Sequence, residues 1–353
     1  MNLRKLIPLI FTAAAIFAAI SCKKDDKSEA LPSLEGALTF YAQQFIEPHQ
    51  TLKMTPKGIS HPDGKGIGYY WKVTPGMSAY DTVRLENGMS PKPGGKESDG
   101  SFTYKFPDTL KTYTVSCYGF AKGYSTAYTS KYVTVVEGGI DGSITGTEIK
   151  ESDPSIEFKG TRYYYKNHAG LDWFRNNLAD PSAGTPYANA EAMSNVLGIY
   201  YSYNEALNAC PEGWRLPTDA EWVALAASLK AGISASEHEI IPGIAADLMC
   251  NAEFNSQKMW EYWPKVGEIT NKAELAVLSA GYANLGAKNA DGSYPTAAFF
   301  GIYDYAAFWT ADRAEGEEDM AYYRYIIDDQ PDMFINKGNI NTFGASVRCV
   351  REN

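Results

Sequence analysis

Histidine is scarce in this chain. The four histidines, His49, His61, His168 and His238, share no zinc-ligand spacing with one another or with a cysteine. No D-x-D-x-D-G calcium loop, G-x-S-x-G elbow or H-E-x-x-H helix occurs. Acid pairs such as Asp328-Asp329 are adjacent, so in a strand they point to opposite faces and cannot flank one bond. Neither a catalytic residue, a metal site nor a cofactor is therefore assigned, and the chain is read as non-enzymatic. Beyond the first 21 residues basic runs are also missing apart from Lys23-Lys24, and the net charge is −10, which argues against nucleic acid as a partner. No apolar run reaches the ~20 residues of a membrane span.

The longest apolar run, Leu6 to Ile20, follows Arg4 and Lys5 and ends at Ala19-Ile20-Ser21-Cys22. Residues 1–21 read as a signal peptide. The segment resembles a bacterial lipobox, which implies lipidation of Cys22 and a membrane anchor. The acids Asp25 and Asp26 just after it resemble a Bacteroidetes signal for export to the cell surface. Residues 22–33 are polar and read as a flexible tether.

What the chain has in quantity is aromatic residue, 13% of it, with 25 tyrosines. Tyrosine favours strands. Residues 34–137 read as about seven short strands: 36–40, 51–55, 67–73, 81–85, 101–106, 113–120 and 131–136. Turn punctuation such as His61-Pro62-Asp63-Gly64 separates them. This pattern predicts an all-β Ig-like sandwich with Trp71 in its core. Cys117 then reads as a buried free thiol. Residues 138–155, rich in glycine, read as a linker.

The second half is organised around residues 202–229. Ser202 and Glu205, then Thr218 and Glu221, have capping-box spacing. Pro211 and Gly213 end the first helix, and Gly232 follows the second. Trp222, Leu225, Ala226 and Leu229 form one apolar helix face. Val347, Cys349 and Arg351 alternate as in a short terminal strand.

CPEGWRLPTDAEW (210–222) and the ending SVRC (346–349) resemble the major paralogous domain family named after Fibrobacter succinogenes. Further elements fall in the family's order: Trp173-Phe174 before Asn177-Leu178, Leu278 to Tyr282, Phe308-Trp309-Thr310 and Tyr322-Tyr323-Arg324. The resemblance spans residues 156–353. It implies an α+β C-type lectin-like domain whose helix-end Cys210 bonds to Cys349 of the last strand. By count alone, the four cysteines left after Cys22 allow three pairings. RLPTDAEW also resembles a sulfatase-modifying oxidase family, but Cys349 has no near neighbour to form that family's reactive pair.

The resemblance also implies an outer-membrane, lipid-anchored surface protein. Its expected function is non-catalytic recognition of a glycan or surface protein. Tyr282, Asp304, Tyr305, Trp309 and Tyr323 are the candidate ligand-binding residues. The alternative expectation is a structural component of a surface appendage or outer-membrane complex.

Overall fold

The structure, a computed structural model, describes residues 31–77, 99–140, 142–261 and 265–353. The signal peptide, Cys22, most of the tether and the strand expected at 81–85 lie outside the described residues.

The first half is built from strands. Gly68–Pro75, Thr112–Phe120 and Ala127–Val135 form an antiparallel sheet, and Phe45–Ile46 adds parallel to its edge. Glu35–Thr39 pairs with Lys57–Ser60, and Thr51–Met54 with Phe102–Lys105. Leu38, Ile46, Met54, Trp71, Val115 and Val133 from all three sheets meet in one buried cluster. Sheets packed around one shared core in this way are compatible with a β-sandwich, and this half is termed the sandwich. Strand alternation explains it: Tyr113, Val115 and Cys117 point inward together. Trp71 stacks on Phe102 and donates its indole N–H to Gly100 O at 2.9 Å, so its one polar atom is satisfied inside the core. Cys117 lies opposite Trp71, free and buried, and burial pushes its thiol up to about 12.

The second half corrects the expected α+β C-type lectin-like domain. Over all the described residues of both halves, strands take 40% and helices 11%. The two capping boxes form as expected, at Ser202 with Glu205 and at Thr218 with Glu221. The helices they start, Tyr203–Ala209 and Asp219–Leu229, run only 7 and 11 residues before the proline and glycine punctuation stops them. The aromatic and β-branched runs instead extend into strands of 8 and 9 residues, Met320–Ile327 and Tyr305–Arg313.

The largest sheet has the order Ala298–Ile302, Ala280–Asn284, Tyr305–Arg313, Met320–Ile327, Phe334–Asn339. Phe343–Gly344 also pairs with Ala280–Asn284. A second sheet places the last strand, Val350–Glu352, against Leu171–Phe174, which pairs in turn with Thr161–His168. On one face of the large sheet, Ala306, Phe308 and Ile326 pack against the helix face of Trp222, Leu225, Ala226 and Leu229, all buried. On the other face Ala307, Trp309 and Tyr323 pack with Tyr203 and Ala206.

A buried ion pair ties these layers together. Asp219 opens the longer helix and accepts two hydrogen bonds from the Arg324 guanidinium, at 2.5 and 2.8 Å, with both side chains 0% exposed. The same carboxylate accepts the His238 backbone N–H at 2.6 Å, and Arg324 donates to Glu239 O. Helix, sheet and the 236–239 loop therefore share one charge-assisted cluster. Cys210 and Cys349 form a disulfide that joins the helix end to the chain's end across 139 residues.

The segment expected to be a free linker is built into the second half. Ile144–Thr145 pairs with Glu253–Phe254, and Val136 and Ile144 are buried in the main core beside Phe45. Thr112 of the sandwich accepts a hydrogen bond from Asn255. Gly138 has no room for a side chain, since a Cβ there would lie 2.4 Å from that of Asn195.

Candidate functional site

Along one line across a face of the large sheet, each of the five strands contributes one aromatic ring. In spatial order these are Phe300, Tyr282, Tyr305, Tyr325 and Phe334. Register sets the row: Tyr282 lies opposite Phe300, and Tyr325 opposite Phe334. Between them Tyr305 shares the face of Ala307, which lies opposite Tyr325. Ring centroids follow at 5.5 Å from Phe300 to Tyr282, 5.2 Å to Tyr305, 5.0 Å to Tyr325 and 5.3 Å to Phe334. Three of these four steps are stacked, and the Tyr282–Tyr305 step is edge-on. Phe343 packs on Tyr282 from the inner side.

Helix Tyr203–Ala209 and the terminal segment cover only the inner end of this face. The rings of the row are left half-buried, and Phe300 at the sheet edge is 46% exposed. A turn at Tyr303 and Asp304 connects the strands bearing Phe300 and Tyr305. Tyr303 sits there at φ 78°, a conformation rare for an aromatic residue. Gly301, at φ 69°, lets the turn lie against Tyr305: a Cβ would come within 2.7 Å of the Tyr305 Cβ.

The row carries hydroxyls but no charge. Burial raises the phenol of Tyr305 above its ordinary range, helped by the neighbouring hydroxyls of Tyr323 and Tyr325, and burial alone raises Tyr325. Both are neutral at physiological pH. Acid and amide groups border the rings. Asp304 is exposed at the turn, and partial burial and then the Glu261 charge raise its carboxyl. Asn336, also exposed, lies opposite Tyr323. Among the described residues no three His, Cys, Asp or Glu side chains gather to hold a metal ion.

Of the five residues expected to bind ligand, Tyr282, Tyr305 and Asp304 lie on or beside the row. Trp309 and Tyr323 are core instead. Trp309 is 0% exposed and donates its indole N–H to Tyr201 O at 2.8 Å; Tyr323 is 7% exposed beneath Phe343. Sequence reasoning missed Tyr325, Phe334 and Phe300. The signal for Tyr325 was its i, i+2 relation to Tyr323, whose face it continues towards solvent. Phe334 and Phe300 depend on strand pairing that no local pattern specifies.

These features define a disulfide-closed, β-rich domain with an aromatic sheet face. Residues 141–351 match the Fibrobacter succinogenes major domain, and the chain belongs to that family. No curated protein matches the chain. Among solved structures, the Yersinia pseudotuberculosis adhesin InvE aligns at 11% identity over 90% of this chain and 70% of that one. Its TM-score of 0.24 is too low to carry an argument about fold or function.

Proposed function

We propose that the protein is a surface-displayed, lipid-anchored recognition protein whose five-ring row binds an extended neutral glycan without catalysis. The observation that carries this reading is the row itself. The rings, in contact with one another at steps of 5.0–5.5 Å, form a continuous uncharged apolar strip across the sheet, against which the C–H faces of an extended sugar chain pack. Asp304 and Asn336 at its border supply acceptors for sugar hydroxyls. The net charge of −10 disfavours a polyanionic glycan. The anchor rests on Cys22 and the short apolar run before it.

A glycan array probed with the full chain tests the ligand. Binding to neutral oligosaccharides, reduced by Tyr305→Ala, is the expected result; capture of a protein partner with no glycan signal would replace it with the assembly role. Cys22→Ala should abolish lipid labelling and release the protein from membranes.

A further inference from the structure

The two edges of the large sheet differ in one respect. Phe334–Asn339 at one edge carries Lys337. Ala298–Ile302 at the other reads AFFGI, with no charge and no proline. An open edge strand is a template for pairing with another chain, and folded proteins blunt it with a charge, a proline or a covering segment. Among the described edge strands of four or more residues, every other one carries a charge: Glu35, Lys53, Lys57, Lys72, Lys105 and Glu157 stand in them.

Ala298–Ile302 is also uncovered. None of its five residues is buried, and Ala298 and Phe300 are exposed. Among the described residues only Ala280–Asn284 pairs with it. Phe300 takes the outermost place in the aromatic row. Its inner neighbour is Tyr282, at 5.5 Å, and among the described residues no ring follows it on the outer side.

We infer that this edge pairs with the same edge of a second copy of the chain, antiparallel and centred on Phe300. Identical strands run antiparallel about a two-fold axis, so the contact is self-complementary and closes as a dimer. Residues directly opposite one another share a face of the sheet. With Phe300 facing its counterpart, the two sheets become one, and the aromatic row of each copy runs on into that of the other. Ala298 of each copy then faces Ile302 of the other, so the paired segment is apolar throughout.

Charge decides between a second copy and a foreign strand. The chain carries −10, so copies repel one another over most of their surface. An uncharged strand is where they can meet without burying a charge. A cationic peptide, the foreign partner that the net charge favours, gains nothing from a strand with no carboxylate. The inference does not depend on what the row binds.

Cysteine trapping in the full chain, displayed on cells, tests the pairing. Facing residues of an antiparallel pair have Cα atoms about 4.5–5.5 Å apart, inside the range of a disulfide. Phe300→Cys should therefore give a species of two linked copies on a non-reducing gel, with peptide mapping finding the link at 300 in both. Ala298→Cys should give none, because its own counterpart lies about 13 Å further along the paired strands. Adding Ala298→Lys to Phe300→Cys places a charge on the edge of each copy and should remove the link. In one detergent, the parent should sediment as two copies and Ala298→Lys as one, with the same circular dichroism. Equal linking at 298 and 300, linking that survives Ala298→Lys, a link from Phe300→Cys to a different protein, or a parent that sediments as one copy would overturn the inference.

Discussion

Asp219→Asn is the substitution that the fold should tolerate least for its size. The change is nearly isosteric, so packing is kept. What it removes is the negative charge that faces Arg324, with both groups fully buried. The amide can still accept one hydrogen bond, but its NH₂ must point at the guanidinium or at the His238 N–H, both of which are donors. Breaking one side of a buried pair typically costs about 3–5 kcal/mol, because a desolvated charge remains. For a cooperative unit of this size that corresponds to a melting temperature lower by roughly 6–20 °C. Chemical denaturation with an unchanged m-value would measure the same loss. The control is Asp219→Leu with Arg324→Met, which removes both charges and should recover much of the deficit. An Asp219→Asn variant within about 1 kcal/mol of the parent, a typical exposed-pair effect, would refute the claim that this pair organises the helix against the sheet.

Other expectations follow from the same structure. Cys210→Ser with Cys349→Ser should lower stability by roughly 2–5 kcal/mol, and non-reduced peptide mapping should find the 210–349 link. Acid should loosen the two capping boxes. Burial pushes both carboxyls up, but Lys288 and Ser202 outweigh it at Glu205, and Arg215 and Thr218 at Glu221, so both lie below their ordinary value of 4.5. A depressed carboxylate contributes stability above its unfolded value and loses it as pH falls through the folded one. The loss should therefore begin below about pH 4.5 and be reduced in Lys288→Met, as followed by helical circular dichroism. Limited proteolysis should spare 138–154, because Ile144–Thr145 is a paired strand. Early cleavage there would mean that the two halves are joined by an open linker.

Local signals were legible where one short stretch decides the outcome. The capping boxes at Ser202 and Thr218 are such cases: each needs only a hydroxyl and a carboxylate three residues apart. The helix face of Trp222, Leu225, Ala226 and Leu229 is another. Cys117 as a buried thiol in a strand also followed from its neighbours. Fold class did not follow, because capped starts say nothing about length, and these helices end within three turns. The linker was misread because its glycines report turns and close approaches, as at Gly138, as readily as freedom. The ligand face was half legible. Tyr282 and Tyr305 were visible as aromatics in strands, but which face is covered depends on where Phe343 and helix Tyr203–Ala209 come to rest. The same packing buried Trp309 and Tyr323.

The aromatic row is tested most directly by titrating a neutral oligosaccharide taken from the array into three proteins. These are the parent, Phe300→Ser with Tyr325→Ser, and a control with Tyr128→Ser and Tyr132→Ser, exposed aromatics on the sandwich. The row variant should bind about tenfold more weakly for each ring removed, while the control binds as the parent does. Equal affinity in all three, with the row variant still folded, would contradict the assignment of this sheet face as the recognition surface.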